Sequence, residues 1–126
     1  MRLLLDTVTF LWAVSSPENI SRAAMSALRS ESSVREISAI SLSEIAIKQA
    51  RGKLTFDQAD VAAGIADLQL RVLPYAAGHA MRLFDLPLHH PDPFDRQIIA
   101  QALAEDVAVV TSDEKFRLYK GLKIVW

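Results

Sequence analysis

Short, mostly apolar runs alternate with amphipathic segments along the chain. The runs at residues 2–5, 36–40, 71–74, 107–110 and 123–126 have the length and character of β-strands. The third is expected at the edge of a sheet, because Pro74 has no N–H group to donate to a neighbouring strand. The pattern therefore predicts five strands.

The segments between these strands carry apolar residues at helical spacing. They predict helices over residues 8–14, 21–29, about 42–51, about 57–70, 77–85, 94–105 and 114–119. Ser41 and Glu44 have the spacing of a capping box at the start of the third helix, and Gly52 suits its end. Strands separated by helices indicate an α/β fold, in which a parallel sheet has helices on both faces.

Composition narrows the class of protein. The 126 residues suit a single domain, and the net charge of -1 does not by itself indicate nucleic-acid binding. The absence of cysteine excludes disulfides and thiolate metal sites and fits a cytoplasmic protein. Asp6 interrupts the first apolar run too early for a signal peptide, and no run approaches the roughly 20 apolar residues of a membrane span. The hydrophobic fraction of 51% suggests a surface covered by a partner or a second copy.

Four acidic residues lie where strands end or helices begin. Asp6 follows the first strand, Glu44 and Asp113 come shortly after the second and fourth, and Asp95 opens the helix before the fourth. Sites in parallel sheets form at the carboxyl ends of the strands, so the four carboxylates are expected to face one crevice. Helix capping explains each acid individually. Capping alone does not predict that the four converge.

Converging carboxylates would repel one another, and a hard divalent cation would relieve that repulsion. A site of carboxylates without cysteine favours Mg²⁺ or Mn²⁺ over zinc. These ions activate water and stabilise charge in phosphoryl transfer, which makes a phosphodiester the expected substrate. His89 and His90 are adjacent in sequence, so their rings tend to point apart, and a loop role is predicted for both rather than a metal pair.

Asp92 and Asp95, at the start of the helix near residue 93, are expected to have different roles. Asp92 before Pro93 has the pattern of a helix cap followed by proline at the first helical position. Asp95 lies on the helix itself and is the better candidate for a metal ligand. Lys48 and Arg96 are basic residues near the expected site in sequence and are candidates for contacts to a phosphate backbone.

The segment Asp92-Pro93-Phe94-Asp95-Arg96 also carries a family resemblance. With its neighbours it resembles the PIN-domain family, and within it the VapC-type toxins of bacterial toxin–antitoxin pairs. The order and spacing of several segments carry the resemblance over nearly the whole chain: residues 3–7, 10–12, 43–48, 52–54, 73–74, 79–80, 86–87, 90–102 and 110–113.

The resemblance implies a three-layer α/β/α fold around a parallel five-stranded sheet. It implies a Mg²⁺- or Mn²⁺-dependent endoribonuclease whose acidic quartet falls on Asp6, Glu44, Asp95 and Asp113. It also implies a homodimer, neutralised by an antitoxin that threads a segment across the active site. Thr111 and Ser112 are further candidates, as hydroxyl groups that orient Asp113 or a bound water.

Three alternatives remain at the level of the sequence. A phosphatase of the haloacid-dehalogenase type needs a second aspartate where this chain has Val8, and a phospho-receiver domain needs an acid at the end of its middle strand; both fit poorly. A non-catalytic binding module with the same fold is a second alternative. The third is a nuclease that acts on DNA, since the sequence does not discriminate between the two nucleic acids.

Overall fold

The computed structural model describes residues 1–126 and contains five strands, six α-helices and three short 3₁₀ helices. The strands are β1 (Arg2–Leu5), β2 (Val34–Ser38), β3 (Arg71–Leu73), β4 (Ala108–Val110) and β5 (Ile124–Val125). The α-helices are α1 (Thr7–Ser15), α2 (Arg22–Arg29), α3 (Ala39–Ala50), α4 (Gln58–Asp67), α5 (Ala77–Arg82) and α6 (Pro93–Glu105). The 3₁₀ helices are Pro17–Asn19, Leu83–Asp85 and Glu114–Leu118.

All five strands are parallel and form one sheet in the order β3-β2-β1-β4-β5. Successive residues of β1 point to opposite faces, and each face has its own core. Leu3 and Leu5 pack with Phe10 of α1, whereas Leu4 packs with Ile98 of α6. The predicted three-layer α/β/α architecture and the edge position of the third strand are thus confirmed. None of the helices has the length and apolar character needed to cross a bilayer.

The strand order places a reversal at the centre of the sheet. From β1 the chain moves outward to β2 and β3, and then returns to add β4 on the other side of β1. The connections that leave β1 and β4 therefore diverge at their carboxyl ends. Such a switch point opens a crevice, which is where parallel sheets bind ligands.

The junction between β2 and α3 differs from the prediction. The strand ends at Ser38, and α3 begins at Ala39 with the Ser38 hydroxyl accepting a hydrogen bond from the Ile40 N–H group at 3.0 Å. The second strand was thus predicted, but its end at residue 40 and the capping box at Ser41 and Glu44 were wrong. Ile40 packs against the Leu4 core from the first turn of the helix, so an apolar residue there did not extend the strand.

A charged network lies towards the amino ends of the strands, away from the switch point. Arg2 at the start of β1 donates to both carboxylate oxygens of Glu36, at 2.6 and 3.0 Å, and to Glu105 at 3.2 Å. Glu105 also lies 3.0 Å from His79. The Glu36 side chain is only 1% exposed, and Arg2 is its partner of opposite charge.

Candidate metal centre

Asp6 occupies the carboxyl end of β1, at the switch point. One of its carboxylate oxygens caps α1 by accepting from the Thr9 N–H group at 2.8 Å. The other accepts from the hydroxyl of Thr111, which follows β4, at 2.6 Å. The side chain is therefore buried and fixed by the two adjacent strand ends, with lone pairs left on both oxygens.

Glu44 is positioned by α3 and by the start of α1. The Thr7 hydroxyl donates to Glu44 Oε1 at 2.7 Å and lies 2.8 Å from the Ser41 hydroxyl. Lys48, one helical turn further along α3, donates to Glu44 Oε2 at 2.6 Å. Ser41 and Glu44 thus lie on the buried face of α3, where they contact Thr7 instead of capping the helix.

Asp95 lies in the first turn of α6, and the predicted start of this helix is confirmed. Asp92 is the cap, and its Oδ1 accepts from the N–H groups of Phe94 at 2.8 Å and Asp95 at 3.2 Å. Pro93 takes the first helical position. The side chain of Asp92 is therefore committed to the helix start, whereas that of Asp95 is free to face the crevice.

Asp113 lies after β4 at the start of the last 3₁₀ helix. Its Oδ1 accepts from the Lys115 N–H group at 3.0 Å, and its own N–H group donates to the Thr111 hydroxyl at 3.0 Å. Its Oδ2 lies 2.8 Å from His90 Nε2, and the same nitrogen is 3.3 Å from Asp95 Oδ2. His90, Asp95 and Asp113 form a group whose potential ligand atoms all lie within 4.8 Å of one another.

Electrostatics connect all four predicted acids. Burial and the negative charges of Asp92, Asp6, Glu44 and Asp113 together raise the pKa of Asp95 from 3.8 to about 8. Burial also raises the pKa of Asp6, against the hydrogen bonds from Thr111 and Thr9 that lower it. The hydrogen bond to Glu44 raises the pKa of Lys48, and the charges of Asp92 and Asp95 act in the same direction. The crevice is thus a region of strong negative potential.

The donor set fits a hard divalent cation. Asp95 and Asp113 have carboxylate oxygens close together, the charges of Asp6 and Glu44 act on Asp95, and the chain has no cysteine. Oxygen ligands of this type suit Mg²⁺ or Mn²⁺, with water completing the coordination. A cation would also offset the burial and the repulsion that together keep the pKa of Asp95 high.

The other predicted site residues have different surroundings. The Thr111 hydroxyl donates to the Asp6 carboxylate. Its contact with Asp113 is to the backbone N–H group, not to the carboxylate. Ser112 is exposed. Arg96 donates to the carbonyl groups of Leu86 and Pro87 and so holds the loop before α6. The contacts of Ser112 and Arg96 with a bound water or RNA remain predictions.

His90 is the residue of the site that sequence reasoning missed. The expectation that it had a loop role was wrong, because its buried ring faces Asp95 and Asp113. Only the exposed His89 fits that expectation, with its ring against Tyr119. The sequence did carry one signal for this position, the spacing between His90 and Asp92. A histidine two residues before a helix cap can accept a hydrogen bond from the N–H group of the cap residue, as His90 Nδ1 does from Asp92 at 3.1 Å.

Asp95→Asn is expected to stabilise the metal-free protein. Because the pKa of Asp95 is raised, the folded protein binds this proton more tightly than the unfolded chain does, and stability falls as the pH rises from about 4 to about 8. Asparagine does not titrate, so the variant does not lose this stability as the pH rises. Thermal unfolding in EDTA should give a Tm roughly 2–5 °C above wild type near pH 8 and a smaller difference near pH 5.

The matched control is Asp57→Asn. It makes the same change, aspartate to asparagine, at an exposed residue that caps α4. It should not reproduce the pH-dependent gain. A metal-free Asp95→Asn protein that melts clearly below wild type near pH 8 would mean that Asp95 acts chiefly as a favourable residue in the first turn of α6.

Comparison with known proteins bears on the fold and on the family. No curated protein sequence matches the chain significantly. Among solved structures, the chain is similar to that of VapBC2 from Rickettsia felis bound to a DNA fragment from its promoter, with 18% identity and a TM-score of 0.73 over 98% of this chain and 97% of that one. It is also similar to VapBC-1 from nontypeable Haemophilus influenzae, with 18% identity and a TM-score of 0.69 over 98% and 96%.

A third similar structure is the DNA-bound VapBC from Salmonella typhimurium, with 20% identity and a TM-score of 0.67 over 98% of this chain and 96% of that one. At these identities the similarity establishes a common fold. The model of the PIN domain family matches residues 3–122, which include every carboxylate of the candidate centre. The chain therefore belongs to the PIN domain family.

Proposed function

We propose that the protein is a Mg²⁺- or Mn²⁺-dependent endoribonuclease. The proposal is supported by the grouping of Asp95 and Asp113 with His90, whose potential ligand atoms lie within 4.8 Å of one another, and by the raised pKa of Asp95, to which burial and the charges of Asp92, Asp6, Glu44 and Asp113 contribute. Clusters of buried acids with perturbed pKa values are a mark of functional sites. Membership of the PIN domain family supports a nuclease, since nucleases are common in that family.

Asp6, Glu44, Asp95 and Asp113 are the residues that would hold the cation. When bound there, a divalent cation supplies Lewis-acid chemistry, which activates water and stabilises charge on the phosphate. The protein contributes orientation: Thr111 fixes Asp6, and Thr7 fixes Glu44. Because these hydroxyl donors are buried and point at carboxylate oxygens, the ligands are held in place before a cation arrives.

Lys48 is the basic residue that the proposal assigns to the RNA backbone. Its ammonium group contacts Glu44 and lies in the field of Asp92 and Asp95. A cation bound by the carboxylates would compete with Lys48 for Glu44, and a phosphate group at the cation would offer the ammonium a new partner. The position therefore suits a contact with the phosphate next to the bond that is cut.

We further propose that the protein is a toxin of a VapBC-like pair, with an antitoxin partner and a homodimeric state. The support is its similarity to structures that contain such pairs, together with FitAcB from Neisseria gonorrhoeae. Large apolar side chains at the surface also suggest a covering partner: Met81 is 63% exposed, Phe84 83% and Leu88 80%. An RNA substrate and a chain without cysteine lead us to expect action in the cytoplasm.

The products of cleavage test the proposed chemistry. Attack by water breaks the bond between phosphorus and one ribose oxygen, and leaves a phosphate monoester on one fragment and a hydroxyl on the other. Attack by the neighbouring 2′-hydroxyl would give a 2′,3′-cyclic phosphate instead. We expect end-group analysis of cleaved RNA to find no cyclic phosphate, and an RNA with a 2′-deoxynucleotide at the cleaved position to remain a substrate.

The control is the same RNA treated with an Asp6→Asn preparation purified identically, which reports contaminating nucleases. Products that carry a cyclic phosphate in the wild-type reaction alone would contradict hydrolysis by water. Cleavage of DNA but not RNA would replace the proposed substrate by DNA.

A further inference from the structure

We propose that His90 is a positioning residue, which holds the carboxylates of Asp95 and Asp113 at the spacing that a divalent cation requires. The inference deepens the proposed function and rests on it. His90 does so through one N–H group, at Nε2, that faces both acids. It acts through its neighbours and does not itself contact the substrate or the cation.

The His90 ring is fixed from several directions. Its backbone N–H group donates to the Tyr119 hydroxyl at 2.8 Å, and its ring meets that of Phe116 edge-on, with centroids 5.6 Å apart. Nδ1 accepts from the Asp92 N–H group at 3.1 Å. The residue is 4% exposed, so the ring has little freedom to turn.

The contact at Nδ1 determines which nitrogen carries the proton. Because the Asp92 N–H group donates to it, Nδ1 is an acceptor, and the proton of the neutral ring is on Nε2. Nε2 therefore donates to Asp113 Oδ2 at 2.8 Å, with Asp95 Oδ2 at 3.3 Å. Direct ligation through Nε2 would move the ring proton to Nδ1, where it would face the Asp92 N–H group, so the geometry favours a positioning role.

Neither acid has another side chain to hold it. Asp113 has only the Lys115 N–H group on its second oxygen, and its side chain is 35% exposed. Asp95 is 20% exposed and has His90 as its only close side-chain partner in the structure. Without His90, two carboxyl groups from separate segments would be free to move apart. The expected loss is in affinity for the cation.

Three variants test the proposal: His90→Ala removes the donor, His90→Gln keeps an N–H donor, and His89→Ala alters the adjacent, exposed histidine. Binding of Mn²⁺ is measured by electron paramagnetic resonance. We expect His90→Ala to weaken binding roughly 10- to 100-fold, the usual effect of losing a partner of a metal ligand. His90→Gln should recover most of the affinity, and His89→Ala should match wild type. Equal affinity of His90→Ala and wild type, or no recovery by His90→Gln, would overturn the proposal.

A second readout does not depend on nuclease activity or on folding of a variant. Nitrogen-15 correlation spectra of the wild-type histidine rings report which nitrogen carries the proton. We expect the Nε2-protonated form for His90 in the metal-free protein, retained when Mg²⁺ is added. Loss of this proton on addition of Mg²⁺ would make His90 a ligand and overturn the positioning role. If both readouts agree with expectation but RNA is not cleaved, the proposed function fails while the role of His90 stands.

Discussion

Asp6→Asn is expected to lower the rate of metal-dependent RNA cleavage by at least about a hundred-fold. Even the loss of an outer partner of a metal ligand costs 10- to 100-fold in affinity or activity, and Asp6 is proposed as a ligand itself. The residue lies at the carboxyl end of β1, with one oxygen towards Thr111 and the other towards the Thr9 N–H group. The measurement is the initial rate with end-labelled RNA in Mg²⁺, alongside the affinity for Mn²⁺.

Asparagine is chosen because it preserves the fold. Its side-chain oxygen can still accept from the Thr9 N–H group, so the cap of α1 is kept while the negative charge is lost. Burial raises the pKa of Asp6, so removal of its charge should not lower the stability of the metal-free protein. The control is Asp57→Asn, the same change at an exposed cap of α4, which should leave the rate unchanged. A folded Asp6→Asn protein with the wild-type rate would remove Asp6 from the site.

Arg2→Met is expected to lower the free energy of unfolding by about 2–3 kcal/mol. Removal of one partner from a buried ion pair leaves the other charge without compensation, at a cost of roughly 3–5 kcal/mol. The expected loss is smaller than that range because the Arg2 side chain is 36% exposed, so water screens the pair, although Glu36 is only 1% exposed. Urea unfolding in the absence of metal gives the free energy, and the expected fall in Tm is about 10 °C.

The double variant Arg2→Met with Glu36→Leu separates charge from packing. Replacement of both members of a buried pair by apolar residues is often neutral, so most of the lost stability should return. If the double variant is as unstable as Arg2→Met, the loss comes from packing of the arginine side chain. A single variant within about 0.5 kcal/mol of wild type, the usual effect of a surface change, would show that Glu36 does not need its partner.

Local patterns were sufficient to predict the layout of the fold. Leu3, Leu4 and Leu5 could be recognised as a buried strand because both faces of a central parallel strand are covered by helices. The start of α6 could be predicted because Asp92 and Pro93 satisfy its first turn with adjacent residues. At Ile40 the local signal was ambiguous, because an apolar residue there suits either the end of a strand or the first turn of a helix. The predicted end of the second strand was therefore wrong.

The contacts that assemble the candidate site could not be predicted, because they join distant segments. Thr7 and Glu44 are 37 residues apart, and Thr111 and Asp6 are 105 apart. No pattern within one element indicates that a hydroxyl of one will reach a carboxylate of the other. The orientation of His90 depends likewise on a ring that packs on Phe116 and on a turn that presents the Asp92 N–H group to Nδ1.

We propose that Asp6, Glu44, Asp95 and Asp113 hold a divalent cation that the protein needs to hydrolyse RNA. The most direct measurement is cleavage of end-labelled RNA by the purified protein with Mg²⁺ or Mn²⁺, with EDTA, and by a folded Asp95→Asn variant. We expect cleavage by wild type with either metal, none in EDTA, and a loss of at least about a hundred-fold in the variant. Cleavage that survives EDTA, or equal cleavage by Asp95→Asn, would contradict it.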